Sequence, residues 1–154
     1  MKRGQAMIET VLAVLFISIL FLSAFQFSQM LTARTVLDHA AARAARSKAV
    51  GFNEFMCLKT ARSAMIPVSG KRLWPETLLQ NTEAYIIPAY LDADTPADAR
   101  GLLDYEYWDT TDYEFTDSGT RVRTYLRMET EDFSMDGEAE LESHAPLYMY
   151  DQGR

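Results

Sequence analysis

From Thr10 to Ala33 no residue carries a formal charge. A helix needs about 20 consecutive apolar residues to cross the hydrocarbon of a bilayer, so this run predicts a spanning segment over residues 10–33. The whole chain has 154 residues, room for that helix and one modest domain but not for two well-buried ones. A secretory signal has an apolar core of about 7–15 residues followed by a small-residue cleavage site. Here the uncharged run is longer, no such site follows, and helix-forming sequence continues past it. A retained anchor is therefore the better expectation.

One carboxylate sits just before this run. Gly4-Gln5-Ala6-Met7-Ile8 leads to Glu9, and then to Thr10-Val11-Leu12-Ala13-Val14-Leu15-Phe16. A charged side chain costs roughly 2.5–3.5 kcal/mol at the centre of a bilayer and less near its interface. A chain that keeps such a group implies a partner for it. Lys2 and Arg3 precede the segment, which favours a cytoplasmic N-terminus, whereas Arg34, Arg43, Arg46 and Lys48 on its far side count against that orientation.

Charge divides along the chain. Residues 1–67 hold 8 basic and 3 acidic side chains, net +5; residues 68–154 hold 7 and 19, net −12, which together give the formal −7. A head of net −12 repels phosphate, so nucleic acid is not an expected partner. Cys57 is the only cysteine, which excludes an intramolecular disulfide and a cysteine metal cluster and leaves a buried, inert thiol as the expectation.

The chain has no glycine between Gly4 and Gly51 and no proline before Pro67, so a long helix is predicted from Met7 to about Ile66. Gly51 and Asn53 mark the expected bend, and Pro67 with Gly70 the stop. If straight, such a helix would be a rod of roughly 90 Å. Its outer half is rich in alanine. Ala40 and Ala44, or Ala41 and Ala45, stand four apart on one face, a spacing that either lets helices approach closely or reflects helix propensity alone. Leu37, Ala41, Ala44, Phe52, Phe55, Met56 and Leu58 are the candidates for the side that packs under the head.

Past Pro67 the pattern changes. Residues 73–79 read as a short helix or loop. Ala84-Tyr85-Ile86-Ile87 reads as a strand cut by Pro88, Asp92 to Gly101 as a loop, and Tyr105 to Trp108 and Tyr113 to Phe115 as short strands. Arg121 to Glu131 alternates, with Val122, Thr124, Leu126, Met128 and Thr130 on one face. Asp136-Gly137 reads as a hairpin turn. Glu138 to Leu147 alternates again, with Ala139, Leu141, Ser143, Ala145 and Leu147 on one face. The expected fold class is α+β: a long N-terminal helix followed by a small antiparallel sheet packed on its outer half.

Catalytic patterns are missing. His39 and His144 stand in no metal-ligand spacing, and there is no nucleophile elbow or phosphate loop, so no enzyme is expected. Neither a metal nor any other cofactor is implied. Asp104, Glu106, Asp109 and Asp112 lie in the acidic stretch where calcium could find oxygen ligands; a charge-rich region is more usually just solvated, and the EF-hand pattern is not met. Tyr105, Tyr107, Trp108, Tyr113 and Phe115 crowd the same region, as a sheet core or as a surface for sugars or another subunit.

Gly4, four residues and Glu9 before an apolar helix resemble the prepilin-peptidase site of type IV pilin-like proteins. Gln5-Ala6-Met7-Ile8-Glu9, with Arg34 and Ala40-Ala41-Ala42-Arg43-Ala44-Ala45-Arg46 further on, resembles TadE-like proteins of tight-adherence pili, as does Gly51-Phe52-Asn53-Glu54-Phe55. Thr10 after the glutamate and a full head domain depart from the short major pilins and fit a TadE-like subunit better. The resemblance implies a basic leader over residues 1–4, a helix over 5–67 and an acidic β-rich head over 68–154. It implies cleavage between Gly4 and Gln5 by a prepilin peptidase, and assembly through Glu9, Val11, Leu15, Ala40 and Ala44 with copies of itself or related pilins. The function so implied is a structural subunit of an extracellular adhesive filament, held in the bacterial inner membrane beforehand. The alternatives are a pseudopilin of a secretion system and a single-pass, membrane-anchored ligand-binding protein.

Overall fold

The uninterrupted helix-forming stretch becomes α1, Lys2–Ala49, in a computed structural model that describes residues 2–76, 83–130 and 133–143. Packing divides the chain where the uncharged run ends, into Met1–Ala33 and Arg34–Arg154. The first unit is the N-terminal part of α1 alone. The second holds the outer part of α1 and every later described element.

The second unit is built on a helix break placed by two residues. Gly51 adopts a positive φ of 97°, the left-handed conformation that glycine enters without penalty. Around it Phe52 N donates to Ser47 O at 3.2 Å and Gly51 N to Lys48 O at 2.9 Å. This is the Schellman arrangement, which satisfies carbonyls left over at a helix end. Asn53 then caps α2, Glu54–Ala64, its side chain accepting from Met56 N at 2.8 Å. The break falls where Gly51 and Asn53 predict it, but the straight continuation is not formed. The hydroxyls of Ser47 and Thr60 lie 3.4 Å apart, whereas 13 residues of continuous helix would separate them by about 20 Å. So α2 turns back alongside α1.

Several short elements differ from expectation. Residues 72–74 form β1, Arg72–Trp74, a strand paired with β2, Asp104–Tyr105; residues 77–79 of the predicted helix or loop lie outside the described residues. The expected strand at 84–87 is instead part of α3, Glu83–Asp92, with Pro88 inside it. Its inward residues, Ile86, Ala89 and Tyr90, with Ala93 just past its end, follow the spacing of a helix face, and that period outweighs the local strand propensity. The expected loop at 92–101 contains α4, Pro96–Leu102. Thr95 caps it by accepting from Asp98 N, and Pro96 stands in its first turn, where a missing N–H costs nothing. Trp108 is not in a strand but buried beyond β2.

The sheet conforms more closely. Strands β3 (Thr111–Asp117), β4 (Arg121–Glu129) and β5 (Ser134–Glu142) form an antiparallel sheet in the order β3-β4-β5. Val122, Thr124, Leu126 and Met128 are buried, the face expected from alternation. The hairpin turn is displaced, however. It closes where Thr130 N donates to Phe133 O at 2.9 Å, and Asp136-Gly137 lies inside β5 opposite Arg127 and Leu126. A Cβ on Gly137 would stand 2.6 Å from the carbonyl carbon of Leu37. Glycine is there because the strand touches the helix, not because the chain turns. Glu138 N donates to Asp38 Oδ1 at 3.3 Å beside it. Ala145 and Leu147, placed on the same strand from sequence, and His144 lie outside the described residues.

One core joins these pieces. Leu37, Ala40, Ala41 and Ala44 of α1 meet Ala61 and Met65, Tyr90, Ala99 and Leu103, Trp108, and Leu126 with Met128 of the sheet. A smaller cluster joins Ala45 and Ala49 to Val122. Alanine on α1 lets the sheet and α2 approach its backbone closely, so the bulky partners, Trp108 and Met65 among them, fill the space.

Candidate functional site

The first unit presents an unbroken exposed surface. Every described residue from Gln5 to Leu31 is exposed, and 16 large apolar side chains lie between Met7 and Leu31, among them Val11 at 61% and Leu15 at 54% exposure. Full burial of one such side chain is worth about 1.5–3 kcal/mol. Scaled by the exposed share of each side chain, covering this surface releases on the order of 15–30 kcal/mol, more than the whole stability of an ordinary domain at ~5–15 kcal/mol. The helix is long and apolar enough to cross a membrane, with a mean hydropathy of 2.4 over its best window.

Its polar atoms are arranged for an apolar neighbourhood. The hydroxyls of Thr10, Ser18, Ser23 and Thr32 each donate to the carbonyl four residues earlier, at 2.8–3.0 Å. Such back-bonding hides a hydroxyl that lipid or a packed helix cannot solvate. Glu9 has no equivalent device. It is exposed and, among the described residues, has no hydrogen-bond or ion-pair partner. Gly4 and Gln5, the expected processing pair, lie in the first turns of α1. Glu9, Val11 and Leu15 are thus brought onto one exposed helix.

Ala40 and Ala44 are placed differently. Both are fully buried in the core of their own chain, so the small-residue face proposed for contacts between subunits is used for packing within one. The predicted underside of the head is met by Leu37, Ala41 and Ala44, with Phe55, Met56 and Leu58 half-buried, while Phe52 is exposed. Arg34, Arg43 and Arg46 are all exposed.

The four acids considered for calcium do not gather. Asp104 Oδ1 accepts from Tyr105 N at 2.9 Å, Glu106 Oε2 from Lys71 N at 3.0 Å, and Asp109 pairs with Arg62 at 3.1 Å. Asp112 stands on β3. Among the described residues no group of three or more potential ligands converges. The crowded aromatics are core. Tyr90 and Tyr105 stack against Trp108 at 5.3 and 5.0 Å, and Trp108 Nε1 donates to the buried Ser69 hydroxyl at 2.9 Å.

Two basic residues in this core escape a reading of sequence. Lys59 is buried, its Nζ donating to the carbonyls of Leu91, at 2.7 Å, and Ala93. It thereby meets the negative end of α3. Arg62 lies over the rings of Trp108 and Tyr113 at 5.5 and 5.6 Å. Their i, i+3 spacing on α2 looks like a solvated stripe, and only the placement of α3 and Trp108 buries it. Cys57 is buried as expected; burial pushes its thiol above the ordinary range, the nearby Lys48 opposing this.

No curated protein matches the chain, and no solved structure matches it. Residues 4–46, which carry the glycine–glutamate spacing, the apolar run and the alanine- and arginine-rich outer helix, match the family model described as TadE-like protein.

Proposed function

We propose that this chain is a pilin-like structural subunit, anchored by its N-terminal helix and assembled through that helix into an extracellular tight-adherence filament. The observation that carries this reading is the exposed surface from Gln5 to Leu31, apolar on every side, with one carboxylate, Glu9, near its start. A lipid anchor needs only the apolar part. A carboxylate retained there suits a site that gains a cation when subunits meet, and cleavage after Gly4 would create one at the α-amine of Gln5. An ammonium beside the carboxylate offsets much of the cost of holding it in a dry bundle. The match of residues 4–46 to the TadE-like family model supports the same reading.

The test is intact-mass analysis of the native chain together with Glu9→Gln. The mature mass is expected to begin at Gln5. Glu9→Gln keeps the size and removes the charge, and should leave the membrane-bound pool intact while lowering sheared surface filaments at least tenfold. A native N-terminus at Met1, or normal filament yield from the variant, overturns the reading.

A further inference from the structure

On α1, His39, Arg43 and Arg46 are exposed at positions i, i+4 and i+7, while Leu37, Ala41, Ala44 and Ala45 are buried. At 100° per residue the three form one stripe on the side turned away from the core. Among the described residues neither arginine has a carboxylate within ion-pair distance.

The opposite side of the same unit carries the complement. On the outer face of the sheet the arginines are already committed. Arg121 pairs with Glu140 at 3.0 Å, Arg123 with Glu138 at 2.5 Å, and Arg127 with Glu129 at 3.4 Å and Asp136 at 4.0 Å. Asp112 and Glu114, exposed on the edge strand β3 and level with Arg127 and Tyr125, are outside ion-pair distance of any of them. Glu114, Thr116, Arg123 and Tyr125 line a shallow depression there, and Arg123 is held chiefly by its hydrogen bond to Glu138, with Glu140 and Glu114 adding to the field on it at longer range. The depression therefore offers a carboxylate and an aromatic ring, the surroundings that suit a guanidinium.

The spacings agree. Two residues apart on a strand face lie about 6.6–6.8 Å apart, and residues three apart on a helix about 5–6 Å between Cβ atoms. Because the sheet packs its inner face on α1, the two patches look away from one another and cannot meet within one chain. Two different patches that join between copies make a head-to-tail contact, and such contacts build open filaments when the rotation does not close.

We infer that Arg43 and Arg46 of one copy dock on Asp112 and Glu114 of a second copy of this chain, with one guanidinium seated in the depression beside Tyr125. This rests on the filament reading for its setting but not for its test. Two tagged versions of the full chain, one with Arg46→Cys and one with Glu114→Cys, are expressed together in the native host and treated with a short bis-maleimide, which spans the gap that an arginine and a glutamate side chain fill and a direct disulfide does not, and both the membrane and the sheared fractions are examined. A mixed cross-linked dimer is expected, and wild type, whose Cys57 is buried, should give none. Arg43→Glu with Arg46→Glu should cut assembly at least tenfold, and adding Asp112→Arg with Glu114→Arg should restore it. A cross-link in membranes without any sheared filament keeps this contact and rejects the filament reading. Filaments without the cross-link, with normal yield from the arginine variant, reject this contact and keep the filament. If the arginine variant instead lowers retention on vesicles of anionic phospholipid and no cross-link forms, the stripe meets lipid headgroups and the contact is likewise rejected.

Discussion

At the scale of single residues, the side chains that hold the domain are those given two jobs. Tyr113 is half-buried, its hydroxyl 3.3 Å from Trp108 O and 3.4 Å from Met65 Sδ. Burial pushes its phenol up to about 12, with Arg62 opposing the rise. An ordinary tyrosine titrates near 10. The folded state thus binds this proton more tightly than the unfolded chain does, so the associated stability is complete below pH ~10 and is lost as pH rises from ~10 to ~12. Tyr113→Phe should flatten that loss by about 2 kcal/mol over this range, read as melting temperature from pH 9 to 11.5. An unchanged slope would show that Tyr113 does not carry it. Gly137 is the second such residue. Gly137→Ala forces a Cβ against the Leu37 backbone and should destabilise the domain by about 1–3 kcal/mol. Equal urea midpoints for variant and wild type would refute the close approach.

At the scale of elements, the helix pair is part of the domain and not a stalk beneath it. Ala40, Ala41, Ala44, Ala61 and Met65 line the same core as Trp108, Leu126 and Met128. Residues 34–154 should therefore unfold in a single cooperative urea transition, whereas residues 68–154, stripped of that lining, should not. A sharp transition from the shorter fragment would place the core elsewhere. Alternation in β4 was legible because one face of an antiparallel sheet is buried and the other solvated. The boundaries of α3 and α4 were not, because a seven- to ten-residue helix takes its stability from what it packs on rather than from its own propensity. For α3 the inward period of Ile86, Ala89 and Tyr90, carried on by Ala93 just past its end, was the available signal.

At the scale of the whole molecule, one surface needs water excluded and the remainder does not. Leu15→Arg puts a charge where neither lipid nor a packed helix offers a partner. It should abolish assembly, since a central arginine costs roughly 2.5–3.5 kcal/mol or more in a bilayer, while residues 34–154 of the same chain keep their fold. Sheared material assayed for the protein, with protease resistance of the domain as the control, checks both halves. Normal surface yield would show that the helix is not the assembly element.

The long apolar helix, the position of Glu9, the helix break at Gly51 and the face of β4 were all determined by sequence. Each depends on local matters: run length, spacing along one helix, backbone permissiveness, and a period of two. The resemblance to TadE-like proteins rested on the same local features, and residues 4–46 are where the family model matches. Only the tertiary structure decided that α2 folds back, that Ala40 and Ala44 serve the chain's own core, that Gly137 is a contact and not a turn, and that the four acids go to separate places. Those outcomes depend on which distant residue arrives opposite, and the identity of an alanine, a glycine or an aspartate does not encode its neighbour.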